Sequence, residues 1–147
     1  LHHTVICLAR ERIWIQNPYF IPEPEAIKAF GAAVKRGVDV RVLMPSTSGS
    51  DNPMVQHAGH CNFEMLMECG VKLFEYPHTL LHQKVMTVDG MWSAIGSTNF
   101  DDRSFEIVFQ IERVIVHPYS DNGAVGMQRF YGVFRQCTRS GLCLGLR

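Results

Sequence analysis

The sequence predicts an α/β fold, a mostly parallel mixed sheet flanked by helices and carrying one β-hairpin. Three observations predict it. Apolar, β-prone runs alternate along the chain with stretches of helical periodicity. Asp89-Gly90 joins two such runs with no helix between them. A length of 147 residues suits one domain, 1–147, with a single core.

The elements follow in order. Arg12 to Tyr19 reads as a strand, with Ile13, Ile15 and Asn17 on one face and Trp14 and Gln16 on the other. Pro22 and Pro24 interrupt it. A helix runs from Glu25 to Arg36, its apolar positions Ile27, Phe30 and Val34 at helical spacing and Gly37 as its stop. Val38 to Met44 is a second strand, closed by Pro45, and Ser46 to Asn52 is a polar loop. Pro53 opens a second helix that reaches Cys69, with Met54, Ala58, Cys61 and Met65 as its stripe and Gly70 as its end. Val71 to Tyr76 is the third strand. Glu106 to Val116 reads as a later strand, and Asp121 to Cys137 as a closing helix with Met127, Phe130 and Phe134 inward. Strand–helix–strand order implies right-handed crossovers and parallel pairing, with the hairpin as the irregular part.

Val85 to Val88 and Met91 to Ile95 form that hairpin, because Asp-Gly tolerates the positive φ that a two-residue turn demands at both central positions. Such a turn sets Val88 opposite Met91, Lys84 opposite Ile95 and His82 opposite Ser97. Opposed residues share a face and alternate residues return to it. His82, Lys84, Ser97 and Asn99 are therefore expected on one side, with Asp89 at the turn in a structural role. Gly96 leaves bare backbone beside Ser97, where a phosphate can approach closely.

Composition narrows the function classes. Lys plus Arg and Asp plus Glu number 14 each, so bulk electrostatics give no support to a nucleic-acid surface. No run of 18 apolar residues is long enough to span a bilayer. The chain starts with Leu and lacks a secretory layout, as expected of a fragment or trimmed piece of a longer protein. Five cysteines without Cys-x-x-Cys read as thiols in a reducing compartment. His57 and His60 are too sparse a pair to predict a metal site.

The chemistry sits in His82-x-Lys84, Asp89 and Gly96-Ser97-x-Asn99. Six specified residues at fixed offsets arise by chance at about 1 in 10^8 per starting position, so the set demands a chemical reason. An imidazole, an ammonium, a hydroxyl and an amide together can attack and hold a phosphoryl group. Anionic oxygens shield phosphorus, so the nucleophile needs positive charge and donors beside it. A neutral His82 nitrogen forms a phosphohistidine, dividing one hard displacement into two easier ones. Lys84 supplies charge, and Ser97 and Asn99 supply donors. No metal or other cofactor is needed for this chemistry.

This pattern resembles the phospholipase D superfamily. Asn17-Pro18-Tyr19-Phe20-Ile21-Pro22, Arg36-Gly37-Val38-Asp39-Val40, Leu81, and Asn99-Phe100-Asp101-Asp102-Arg103-Ser104-Phe105 extend it to the C-terminal half of bacterial cardiolipin synthases, over Arg12 to Ile111. The resemblance implies a phosphatidyltransferase. One phosphatidylglycerol forms the phosphohistidine, and a second donates its hydroxyl to give cardiolipin and glycerol. It also implies a second motif copy whose histidine protonates the leaving alcohol and deprotonates the incoming one. This chain has one copy, so its partner is expected to be an absent N-terminal half or a second chain. The same resemblance implies a bacterial cytoplasmic membrane location. The anchor would lie in the absent part, with this soluble segment making peripheral lipid contact. Family members carry a Glu eleven residues after the motif Asn, bonded to the other nitrogen of the catalytic His; here that position is Gln110. Its carbonyl can still orient the ring, but it cannot offset positive charge. Glu106 and Glu112, on the same strand face, are alternatives. The competing functions are a phosphodiesterase, either a phospholipase D or a homodimeric nuclease, and a catalytically impaired domain. A nuclease should show a basic stripe, and Lys28, Lys35, Arg36 and Arg41 are the one cluster.

Overall fold

The structure is a computed structural model that describes residues 2–46, 62–77, 81–97 and 99–100, and the backbone of 112–116. The elements are α1 (His2–Leu8), β1 (Arg12–Gln16), α2 (Pro24–Lys35), β2 (Asp39–Pro45), β3 (Lys72–Tyr76), β4 (Lys84–Val88), β5 (Trp92–Gly96) and β6 (Glu112–Val116). Residues 62–68 are also helical. The helix expected over Asp121–Cys137, the start of the second helix and the strand residues 106–111 lie outside the described residues.

Six strands form one sheet in the order β3-β2-β1-β4-β5-β6. β1 pairs with β2, and β2 with β3, in parallel; β4 is antiparallel to β1 and β5, and β6 is antiparallel to β5. Thus β1, β2, β3 and β5 run one way and β4 and β6 run against them. The fold class is the expected mixed α/β arrangement, and its antiparallel part extends past the hairpin to β6.

Strand alternation sorts the apolar residues into two layers. Ile13, Ile15, Val40, Val42, Leu73, Met86 and Val88 pack with Ile6, Ile27, Phe30, Ala33 and Leu66 on the helical face. Trp14, Leu43, Phe74 and Leu81 form a smaller cluster on the other face. The two helices with glycine stops end alike. Gly37 donates to Val34 O and Val38 to Ala33 O; Gly70 donates to Met67 O and Val71 to Leu66 O. These paired bonds satisfy the last carbonyls and need the positive φ that Gly37 (92°) and Gly70 (87°) adopt.

Helix α1 has no counterpart among the elements read from sequence. Two turns with no acidic residue at the start are marginal in isolation. Tertiary contacts hold it. Ile6 is fully buried, and the Arg36 guanidinium donates to Ile6 O (3.1 Å) and Ala9 O (3.4 Å) at its C-terminal end.

At the entry to β2, Asp39 accepts from Arg41 Nε (2.6 Å), Lys72 Nζ (2.7 Å) and, at 3.4 Å, Trp14 Nε1. Partial burial pushes its carboxyl up. The Lys72 hydrogen bond, the two cations and the indole together outweigh this and hold it below the ordinary value. A depressed carboxylate pKa gives stability that is complete above the unfolded value and is lost as pH falls through the folded one. Denaturant titrations from neutral pH to below pH ~4 should show this loss, and Asp39→Asn should remove it. Solvent screening keeps the contribution to about 1 kcal/mol or less.

Candidate functional site

Of the predicted site residues, His82, Lys84, Ser97, Asn99 and Glu112 lie at one end of the sheet, where β1 and β5 end and β4 and β6 begin. In open α/β sheets, the carboxyl ends of parallel strands are where ligands bind. Lys84 opens β4, and exposed His82 lies two residues before it, outside the ladder. Ser97 is exposed in the bend after β5, and Asn99 is half-buried just beyond. Glu112 opens β6 with its Cα opposite Gly96. Gln110 and Glu106 lie outside the described residues, as do His57 and His60.

The hairpin turn forms as the sequence predicts, but its register does not. Asp89 (φ 54°) and Gly90 (φ 72°) take up the turn, and Met91 N–H donates to Val88 O at 3.0 Å. The ladder then pairs Val88 with Trp92, Val85 with Ile95 and Lys84 with Gly96. Each pairing is one residue beyond the expected Val88–Met91, Lys84–Ile95 and His82–Ser97 set. Met91 is the extra residue and stays 62 % exposed. The reason is burial. This register turns Trp92 and Ala94 toward the Met86 and Val88 face, where Trp92 packs on the main core. The expected register would have put Met91, Ser93 and Ile95 there instead.

The shift changes how the site is built. On β5 the cross-strand neighbour of Lys84 is Gly96, in place of the expected Ile95. Ser97 does not sit on the Lys84 face by pairing, because β5 stops at Gly96. Asn99 does reach that side. It lines a cavity of about 20 Å³ with Lys84, Gly96, Asn17 and His2, floored by Ile15, Met86, Ala94 and Phe100. Such a volume holds one water-sized group. Asn99 Oδ1 is buried there and has no hydrogen-bond partner among the described residues.

Three sets of contacts position these residues. Gln16, buried at the end of β1, donates from Nε2 to Gln83 Oε1 (2.9 Å) and so fastens the segment between His82 and Lys84. Lys84 Nζ lies 3.4 Å from His82 O. Phe20 bridges to Phe100, Ile21 N–H donates to Phe100 O (2.8 Å), and the rings of Phe20, Phe30 and Phe100 form one cluster. The Asn17–Ile21 segment is thereby tied to the strand end that carries Asn99. Asp89 stands at the far end of the hairpin. Its carboxylate accepts the backbone N–H groups of Arg10 (2.9 Å), Glu11 (2.8 Å) and Arg12 (2.8 Å).

Residues 3–125 match the family described as cardiolipin synthase, PLD-like domain. The chain belongs to this family. It is 38% identical over 117 residues to a cardiolipin synthase of Geobacillus sp. (strain WCH70), covering 80% of this chain and 23% of that protein. It is 46% identical over 103 residues to cardiolipin synthase A of Pseudomonas fluorescens (strain SBW25), covering 70% and 21%. The chain thus spans between a fifth and a quarter of the length of these relatives. In fold it is similar to Nuc of Salmonella typhimurium, a phospholipase D family member. The TM-score is 0.71 at 22% identity, over 99% of this chain and 88% of that one. A PLD-like domain therefore accounts for the sheet order and for the hairpin at its centre.

One site-lining residue escaped the motif reading. His2, from α1, borders the cavity, with its ring edge-on to Trp92 and Phe100 at 6.0 Å each. It lies 82 residues from Lys84 in sequence and carries no motif context. Only the packing of α1 could reveal it.

Proposed function

We propose that this chain is a motif-bearing part of the C-terminal half of a cardiolipin synthase that transfers a phosphatidyl group between phosphatidylglycerol molecules through a phosphohistidine on His82. The observation that supports it most is the meeting of the His82–Lys84 segment with Gly96 and Asn99 at one sheet end, in a chain of this family.

In this reading a His82 ring nitrogen attacks phosphorus and forms the P–N bond as the P–O bond to the leaving glycerol breaks. The second motif's histidine gives the departing oxygen its proton. That same histidine then takes the proton of an incoming phosphatidylglycerol hydroxyl, whose oxygen attacks phosphorus. The P–N bond breaks, and His82 leaves as neutral imidazole. Lys84, Ser97 and Asn99 hold the non-bridging oxygens, and bare Gly96 backbone lets them approach. Gln110 or Glu112 holds the other His82 nitrogen. Asp89 keeps the hairpin in place and takes no part in the chemistry. The second motif comes from an N-terminal half or from a second copy of this chain. Among the described residues no helix is long and apolar enough to cross a membrane. We read the contact of this segment with lipid as peripheral, with anchoring at the bacterial cytoplasmic membrane supplied by another part of the protein.

The test is cardiolipin formation from phosphatidylglycerol vesicles, by the chain alone and with a motif-bearing N-terminal half of a relative added. Product in either case is the expected result. Release of phosphatidic acid without cardiolipin would assign the chain to the phosphodiesterases. No product in both cases would mark an impaired domain.

A further inference from the structure

We infer that Tyr19 is a positioning residue for His82, an inference that rests on the assignment of His82 as nucleophile. The imidazole lies just outside the ladder and is exposed, so strand pairing does not set its orientation. Two side-chain torsions leave a histidine free to turn its nitrogens away from phosphorus. A nucleophile gains most when its attacking atom is already aimed. The Tyr19 ring meets the His82 ring edge to face, with centroids 6.1 Å apart and planes at 85°. This is a preferred geometry for a pair of flat rings.

Tyr19 is itself held from several directions that do not involve His82. Asn17 N–H donates to Leu43 O (3.2 Å), and Tyr19 N–H donates to Asn17 Oδ1 (3.1 Å), closing a local side-chain turn. Pro18 lies between them, with a φ restricted by its own ring. Two residues on, Ile21 N–H is bonded to Phe100 O, and the Phe20 ring stacks at 5.0 Å from Phe100. The backbone under Tyr19 is therefore pinned to both β2 and the Asn99-Phe100 segment. The ring gives His82 a wall fixed to the same frame as the phosphate-binding Asn99. It limits the rotation of the imidazole by ring packing.

The ring should be the part that matters, so Tyr19→Phe and Tyr19→Leu separate the roles. The first readout is the imidazole NMR spectrum, with His82 assigned by the signals lost in His82→Ala. The His82 ring protons should carry a ring-current displacement that Tyr19→Phe retains and Tyr19→Leu removes. The second readout is turnover of phosphatidylglycerol vesicles with the second motif supplied. In Tyr19→Leu, kcat should fall about three- to tenfold, the range an edge-to-face pair can supply, with little change in KM. Tyr19→Phe should restore it. A Tyr19→Met variant serves the same purpose where leucine disturbs folding. His82 signals indifferent to loss of the ring would overturn the inference, and so would an unchanged kcat in a variant that has lost the displacement. Absence of turnover by the unmodified protein would count against phosphatidyl transfer instead. The positioning role would then stand or fall on the ring spectra alone.

Discussion

Replacing His82 by alanine should abolish phosphatidyl transfer while leaving the fold intact. The side chain is exposed and sits outside β4, so truncating it opens no cavity and breaks no ladder bond. In the proposed mechanism its removal deletes the atom that forms the P–N bond. Loss of a covalent nucleophile costs on the order of 10^6 in rate elsewhere. Lys84 lies nearby, but its ammonium has no lone pair until it gives up a proton. The measurement pairs product formation with trapping of the intermediate. Labelled phosphatidylglycerol should leave acid-labile, base-stable label on the parent chain and none on His82→Ala, while both chains unfold in one cooperative thermal transition. Stable label on the mutant would remove His82 from the role of nucleophile.

The second large effect is expected at Asp89, and it falls on stability. Its carboxylate gathers three consecutive backbone N–H groups, those of Arg10, Glu11 and Arg12, within 2.9 Å. Its own N–H donates to Arg12 O at 2.9 Å. The residue thereby ties the hairpin tip to the segment joining α1 to β1. Hydrogen bonds to an ionised acceptor are worth about 1.5–3 kcal/mol, reduced here because the group is partly exposed. Asp89→Gly keeps the positive φ and loses the acceptor, so a loss of about 2–3 kcal/mol is expected. Asp89→Ala should cost about 1 kcal/mol more, because a Cβ disfavours φ 54°. Asp89→Asn retains one acceptor and should fall between Gly and the parent. Denaturant midpoints measure all three. Asp89 is five residues along β4 from Lys84, roughly 17 Å at strand spacing, so molecules that remain folded should still form the His82 adduct. Loss of the adduct with unchanged stability would return Asp89 to the chemistry.

The two predictions differ in how much of their basis the sequence reveals. His82, Lys84, Ser97 and Asn99 stand out because their spacing is improbable and their groups suit one reaction. The turn role of Asp89 follows from its glycine neighbour and the flanking apolar runs. The three amides it accepts lie 77 to 79 residues away and are visible only in the fold. The hairpin shows the same division more sharply. Local turn chemistry identified Asp89 and Gly90 as the central residues and their positive φ. It could not choose between Met91 and Trp92 as the partner of Val88. That choice depends on which large side chain the core accepts, and the core consists of residues remote in sequence. A one-residue difference then reassigned the partner of Lys84 from Ile95 to Gly96.

By itself the sequence determined the alternation of strands and helices, the glycine stops at Gly37 and Gly70, the Asp-Gly turn and the membership of His82 and Lys84 in one chemical set. Periodicity, propensity and motif spacing are local properties and survive without a folded context. The tertiary structure alone decided the hairpin register, the existence of α1, and the approach of Tyr19 to His82 and of Asn17 and His2 to Asn99. Each is a contact between distant segments, and its geometry exists only once the sheet has assembled and selected which side chains to bury.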